Sequence, residues 1–278
     1  MRITTNIAAL TASKNMMGSQ LAIQKSMAQL ASGSRITKSA DDAAGLAISE
    51  NLKSQIRSYS QANRNANDGI SLIQTAEGGM SEISNILTRM RELGIQAASD
   101  TISDKERVMV DKEVQQLKSE SQRIAMTTTF GTQKLIDGSG DKFDFQVGIY
   151  NDDFNDRISF DSAAVNVQAG ELGIDGFDFT SKSGAQSALE TLDIAQSQVN
   201  GHRATLGALQ NRLQSTIDNT NTMHENLSAA NSRIRDTDVA LASSEMTRNN
   251  ILLQASTATL AQANQVPALA LKLITSHL

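Results

Sequence analysis

The sequence predicts a mainly α fold: an elongated helical rod with N- and C-terminal coiled-coil arms and a small β-segment in the middle. Three observations predict it. All seven phenylalanines, and eight of the nine aromatic residues, lie between Phe130 and Phe179. Both flanks must therefore bury aliphatic stripes rather than a shared aromatic core. The single proline, Pro267, leaves long stretches free of the strongest helix breaker. The apolar residues of both flanks recur at the 3-4 or seven-residue spacing of coiled coils.

In chain order, Thr4 and Thr5 suit the N-cap of a first helix. Ile3, Ile7, Leu10, Met17 and Leu21 follow helical spacing, and Ile23, Met27 and Leu30 continue on an adjacent stripe. Gly33 in LASGSRI marks the stop. A second helix begins near Asp41 and Asp42, whose carboxylates suit the positive end of a helix dipole. From Ile73 the pattern is strict, with Ile73, Ala76, Met80, Ile83, Leu87, Met90, Gly94 and Ala97 alternating 3-4-3-4. Ser103 and Glu106 form a capping box before a third helix carrying Val110, Val114, Leu117 and Ile124, which ends before Phe130 and Gly131.

The middle changes character. Eight of the 17 glycines fall between Gly131 and Gly184. Phe143, Phe145 and Val147 alternate, as do Ile158 and Phe160, which predicts short strands joined by turns, with residues 171–179 as a further strand. Leu192, Val199, Leu206, Leu213, Thr220, Leu227 and Ile234 then recur every seven residues. A continuous helix from about Gly184 to Arg235 measures roughly 75–80 Å, far beyond the radius of gyration of about 19 Å of a compact globule this size. Hence the expected rod. A last helix carries Val239, Met246, Leu253 and Leu260, again seven apart, and Pro267 is expected to interrupt or kink it.

Composition narrows the function. A net charge of −5 offers no basic patch for a nucleic-acid backbone. The absence of cysteine excludes disulfides and thiolate chemistry. No stretch approaches the roughly 20 apolar residues that span a bilayer, and the N-terminus lacks the apolar core of a secretory signal. His202, His224 and His277 stand alone, and no nucleophile elbow, P-loop, metalloprotease or dinucleotide fingerprint occurs. Asn151, Asp152, Asp153, Asn155 and Asp156 read as acidic turn residues, because the run lacks the glycine and terminal glutamate of a calcium loop. No enzyme, cofactor or metal site is expected. Ten large apolar side chains between Ile3 and Ile36 recover less on burial than ordering about 43 residues costs. The terminal arms are therefore expected to be disordered alone and to fold against neighbouring copies. The expected polymer interface is Ile3, Ile7, Leu10, Met17, Leu21, Met27, Leu30, Val239, Met246, Leu253 and Leu260.

Several stretches resemble bacterial flagellin, the subunit of the flagellar filament: ITTNIAAL at 3–10, LASGSRI at 30–36, DDAAGLAIS at 41–49, ANRNANDGISLIQTAEGGMSEI at 62–83, RMRELGIQAA at 89–98 and FQVG at 145–148. ALETLDIA, LGALQNRL, ENLSAANSRIRDTD and LAQANQVP match the C-terminal half in order. The resemblance covers about 1–150 and 185–267. The tail ALALKLITSHL departs from the family's short leucine-rich ending, and the middle lacks the family's variable outer domains.

The resemblance implies that residues 1–43 and 235–278 are inner-core terminal helices. Residues 44–234 then form an outer-core rod, with the β/loop segment at about 130–183. It further implies an extracellular flagellar filament that is secreted and drives motility. The partners are then other copies of the chain, an export chaperone, and cap and junction proteins. Arg89, Leu93 and Glu113 match the positions through which similar flagellins meet the vertebrate toll-like flagellin receptor, with Leu93 expected as an exposed anchor between the two charges. Two alternatives stay open: a hook–filament junction protein, and a non-flagellar signalling coiled coil.

Overall fold

The computed structural model describes residues 6–275, with side-chain burial assigned as far as residue 265. Ile3, Thr4 and Thr5 lie outside the described residues. The order is α1 (Ile7–Ser32), α2 (Ala43–Ala98), α3 (Asp104–Thr127), β1 (Thr129–Phe130), β2 (Gln133–Lys134), β3 (Lys142–Gln146), β4 (Arg157–Asp161), α4 (Lys182–Arg235) and α5 (Val239–Thr275). Two compact units result: residues 1–54 with 226–278, and residues 55–225.

The unit of residues 55–225 holds the large core. Ile73, Ala76, Met80, Ile83, Leu87, Met90 and Ala97 of α2 are all buried, as the 3-4 spacing predicts. The heptad of α4 is buried from Leu192 through Val199, Leu206 and Leu213, and the same cluster takes in Val114 and Ala125 of α3. Gly94 occupies a seam position because a Cβ there would stand 3.0 Å from Leu189 Cδ2, so the helices approach too closely for a side chain.

α3 starts where Glu106 accepts the Ser103 backbone N–H and hydroxyl, each at 2.8 Å. These bonds hold the Glu106 carboxyl below its usual range. The end of α2 is closed by a buried arginine. Arg107 Nε donates to Ala97 O at 2.8 Å and Nη2 to Ser99 O at 2.9 Å, satisfying carbonyls that a helix terminus leaves open.

The β-segment consists of two antiparallel pairs, β1 with β2 and β3 with β4. The alternation predicts both strands of the second pair, and the structure sets their register, with Phe143 opposite Phe160 and Phe145 opposite Ile158. Residues 171–179 are turns, not a strand. Their backbone closes on itself, with the Leu172 N–H on Gln168 O and the Ile174 N–H on Ala169 O, both at 3.0 Å. α3 supplies the rest. Lys118 Nζ donates to the Asp175 and Phe177 carbonyls, and Asp111 accepts the Phe179 N–H at 2.8 Å. Local turns and a lysine replace the ladder partners that the apolar spacing alone suggests.

The unit of residues 1–54 and 226–278 is a helix pair with a joint. Asn6, rather than a threonine, caps α1: its Oδ1 accepts the Ala9 N–H at 3.1 Å. Gly33, at φ 67°, ends the helix in the left-handed conformation that glycine adopts freely. The two connectors then bind each other. The Arg35 N–H donates to Arg235 O at 2.6 Å, the Thr237 N–H to Gly33 O at 2.9 Å, and the Arg35 guanidinium to Ile234 O at 2.7 Å. Asp41 ties this joint to α1 through Lys25 Nζ at 3.0 Å while accepting from Thr37 and Lys38. Those partners hold its carboxyl far below the usual range, Lys25 foremost. Asp42 caps α2 by accepting the Gly45 N–H at 2.8 Å. α5 runs through Pro267 to Thr275, so the expected interruption does not occur. The Ala263 carbonyl, which Pro267 has no N–H to serve, accepts from Asn6 Nδ2 at 2.8 Å instead.

Candidate assembly surface

α1 and α5 carry small side chains at their most buried positions, with Met16, Ile23 and Leu30 on α1 and Met246, Leu253 and Leu260 on α5 half-buried at the 3-4 spacing beside them. Ala12, Ser19 and Ser26, seven residues apart, are the buried positions of α1, and Ala242 is buried on α5. Two residues along a helix turn about 200°, so this stripe lies opposite the one containing Leu10 and Met17. Ile7, Leu10, Met17, Leu21 and Met27 are consequently 56–69 % exposed. On α5, Val239, Leu241, Ile251 and Leu252 are exposed as well. These residues form an apolar stripe at helical spacing, turned away from the chain's own helix partner.

The residues selected from sequence thus divide. Ile7, Leu10, Met17, Leu21, Met27 and Val239 face outward; Leu30, Met246, Leu253 and Leu260 are half-buried. Sequence reasoning missed the stripe of Ala12, Ser19 and Ser26 because small residues carry a weak hydrophobic signal, although its seven-residue spacing was available. It also passed over Asn6.

A second group lies on α2 and α3. The Arg89 guanidinium bridges Glu92 Oε2 and Glu113 Oε1, both at 3.0 Å, and both partners raise its pKa. The structure therefore brings Arg89 and Glu113 together on an exposed face. Leu93 does not join them. It is 2 % exposed within the α2 core stripe, which corrects the expectation of an exposed leucine anchor. The reason is rotational: Leu93 lies three residues from Met90 and four from Ala97, both fully buried.

In the β3–β4 loop, Asp152 Oδ1 accepts the Phe154 and Asn155 N–H groups at 2.8 and 3.0 Å, which keeps its carboxyl low. Asp156 accepts the Asp152 N–H at 3.1 Å. These carboxylates close turns. Among the described residues no three His, Cys, Asp or Glu side chains are grouped to hold a metal, and no described helix is long and apolar enough to cross a membrane.

A long-helix scaffold with a well-filled core in one unit and outward apolar stripes in the other defines a structural protein of the coiled-coil class. Two family models match it: the bacterial flagellin N-terminal helical region over residues 3–141, and the bacterial flagellin C-terminal helical region over residues 189–274. A flagellin of Halalkalibacterium halodurans is 46 % identical over 274 residues, covering 99 % of this chain and 100 % of the relative. The crystal structure of Bacillus cereus flagellin superposes with a TM-score of 0.51 at 30 % identity, covering 56 % of this chain and 88 % of that one. A hook-associated protein structure from Vibrio parahaemolyticus gives a TM-score of 0.58 over 70 % of this chain and 100 % of that one, but at 13 % identity it shares the fold alone. The chain belongs to the bacterial flagellin family, a family of structural proteins.

Proposed function

We propose that this chain is the structural subunit of a bacterial flagellar filament and that its outward apolar stripes are where copies meet. The single observation that carries the surface assignment is the exposure of Ile7, Leu10, Met17, Leu21 and Met27 on a helix whose fully buried positions, Ala12, Ser19 and Ser26, lie on another face. Covering each such side chain with a neighbouring copy stabilises by about 2 kcal/mol. A contact between two different faces of identical subunits propagates as an open helix rather than closing a ring. Ile3, Leu30, Met246, Leu253 and Leu260 complete the interface in this reading.

The finer picture follows from the family. Residues 1–43 and 235–278 serve as inner-core helices and 44–234 as the outer core. The chain is secreted to the cell exterior, its ends order on joining the polymer, and an export chaperone, cap and junction proteins handle it on the way. A contact with a toll-like receptor falls on the exposed Arg89 and Glu113, with Leu93 supporting them from the core.

Electron microscopy of the purified chain incubated with short filament fragments tests the assembly reading. Long filaments are expected from the intact chain and none from a chain lacking residues 1–30. Failure of the intact chain to extend fragments overturns the filament role; growth of only a few subunit layers identifies a junction protein instead.

A further inference from the structure

Asn6 makes two hydrogen bonds that no other common capping residue makes together. Its Oδ1 accepts the Ala9 N–H and closes the start of α1, while its Nδ2 donates to the Ala263 carbonyl on α5. That carbonyl stands four residues before Pro267, the only proline in the chain. In an α-helix its donor is the N–H of residue i+4, and proline has none. A half-buried carbonyl left without a donor costs free energy comparable to a lost hydrogen bond. Aspartate closes α1 equally well but has nothing to donate, and serine has one short-tethered oxygen to meet both partners.

The surroundings make this bond matter. The fully buried positions of the α1·α5 pair are Ala12, Ser19, Ser26 and Ala242, while the larger Met16, Ile23, Leu30, Met246, Leu253 and Leu260 are only half-buried. At the joint end, the Gly33–Thr237 and Arg35–Arg235 hydrogen bonds fix the pair. The other end of α1 lies about 40 Å along the helix at 1.5 Å per residue, and there the amide of Asn6 supplies the polar tie.

We propose that Asn6 is a positioning residue that couples the order of the two chain ends. The turn of α5 spanning Ala263 and Pro267 holds its helical form only while α1 is docked and Asn6 donates to the Ala263 carbonyl. The proline is the deliberate weak point, and the asparagine at the opposite end of the sequence is its complement. A subunit with only one end in place then cannot complete the other. This coupling needs only the α1·α5 pairing and holds whether or not the chain polymerises.

Amide hydrogen exchange, read by peptide mass spectrometry on the full chain both free and polymerised, tests it with Asn6→Ser, Pro267→Ala and the double variant. Serine keeps the cap and removes the long donor; alanine at 267 restores the missing N–H. In whichever state the wild type protects residues 7–32, Asn6→Ser is expected to speed exchange over 264–275 about three- to tenfold, the range a single hydrogen bond of about 0.5–1.5 kcal/mol gives. The double variant is expected to exchange no faster than Pro267→Ala alone, because the restored N–H makes the Asn6 donor dispensable, whereas a general loosening of α1 speeds both backgrounds by the same factor. Wild-type exchange in Asn6→Ser, a double variant faster than Pro267→Ala by the factor that Asn6→Ser shows over wild type, or no protection of residues 7–32 in either state each overturns the proposal. Failure of the wild type to polymerise concerns the filament reading alone.

Discussion

Residues 55–225 and the unit formed by 1–54 with 226–278 use the same helical periodicity in opposite ways. In the first, the seven-residue stripe is filled by Leu192, Val199, Leu206 and Leu213, and it points into a core shared with Ile73, Met80, Ile83 and Leu87. In the second, the fully buried positions of α1 are Ala12, Ser19 and Ser26, Met16, Ile23 and Leu30 are half-buried, and Ile7, Leu10, Met17, Leu21 and Met27 point out. A heptad therefore states that a helix has a seam; what packs against each stripe decides whether its large residues are closed within the chain or left exposed. The large residues of residues 55–225 contribute stability to the free chain, whereas those of α1 contribute only when something covers them.

Four experiments test this contrast, in descending order of effect. Leu206→Ala removes a fully buried side chain of α4 and is expected to lower the unfolding free energy by about 2–5 kcal/mol, read by denaturant titration of the helical circular dichroism signal. An unchanged midpoint would deny residues 55–225 their independent core.

Leu10→Ser with Leu21→Ser is the mirror experiment. The free chain should unfold within about 0.5 kcal/mol of wild type, as exposed substitutions do. The concentration needed for filament growth should rise about 100-fold, equivalent to about 3 kcal/mol of lost burial. Unaltered growth would show that the outward stripe is not where copies meet.

Ala12→Leu inverts the size pattern at a buried position of α1. Overpacking of this kind costs about 1–3 kcal/mol, and should appear as faster amide exchange across residues 7–32 in a state where α1 is docked. Undisturbed exchange would mean that the inward stripe is not closely packed.

The smallest effect is acid sensitivity at the joint. Lys25, Thr37 and Lys38 depress the Asp41 carboxyl below its ordinary value of 3.8. A depressed carboxylate gives stability that is fully present above its unfolded pKa and lost as the pH falls through the folded one. Protection of residues 33–42, corrected for intrinsic exchange, should therefore decline below about pH 4. Asp41→Asn should lack that decline. A variant with the same acid profile would assign the sensitivity to another group.

Much of the fold was legible because long helices advertise themselves through repetition. The 3-4 run from Ile73 to Ala97, the heptad from Leu192, the Ser103–Glu106 cap, the Gly33 stop and the two short strands holding Phe143 and Phe160 are local patterns, and local patterns survive without knowledge of neighbours. Residues 171–179 and Leu93 mark where that ends. Apolar spacing in the first suggested a strand, yet Lys118 and Asp111, more than fifty residues away, supply its polar partners and leave it as turns. The motif around Leu93 suggested a surface group, yet its rotation between Met90 and Ala97 buries it. Of the candidate assembly residues, the spacing could be read but not the direction each faces: Ile7, Leu10, Met17, Leu21 and Met27 point outward, whereas Leu30, Met246, Leu253 and Leu260 are half-buried.

By itself the sequence determined the helices, their boundaries to within a few residues, the place of the small β-segment and the family, because each of these is encoded in residue spacing along one stretch of chain. The tertiary structure alone reveals that small side chains take the most buried positions of the α1·α5 seam, that the two connectors clasp each other, and that α5 passes through Pro267 with Asn6 serving the carbonyl left open. Those facts depend on which groups from distant positions arrive at hydrogen-bonding distance, and periodicity within a single helix carries no record of its partner.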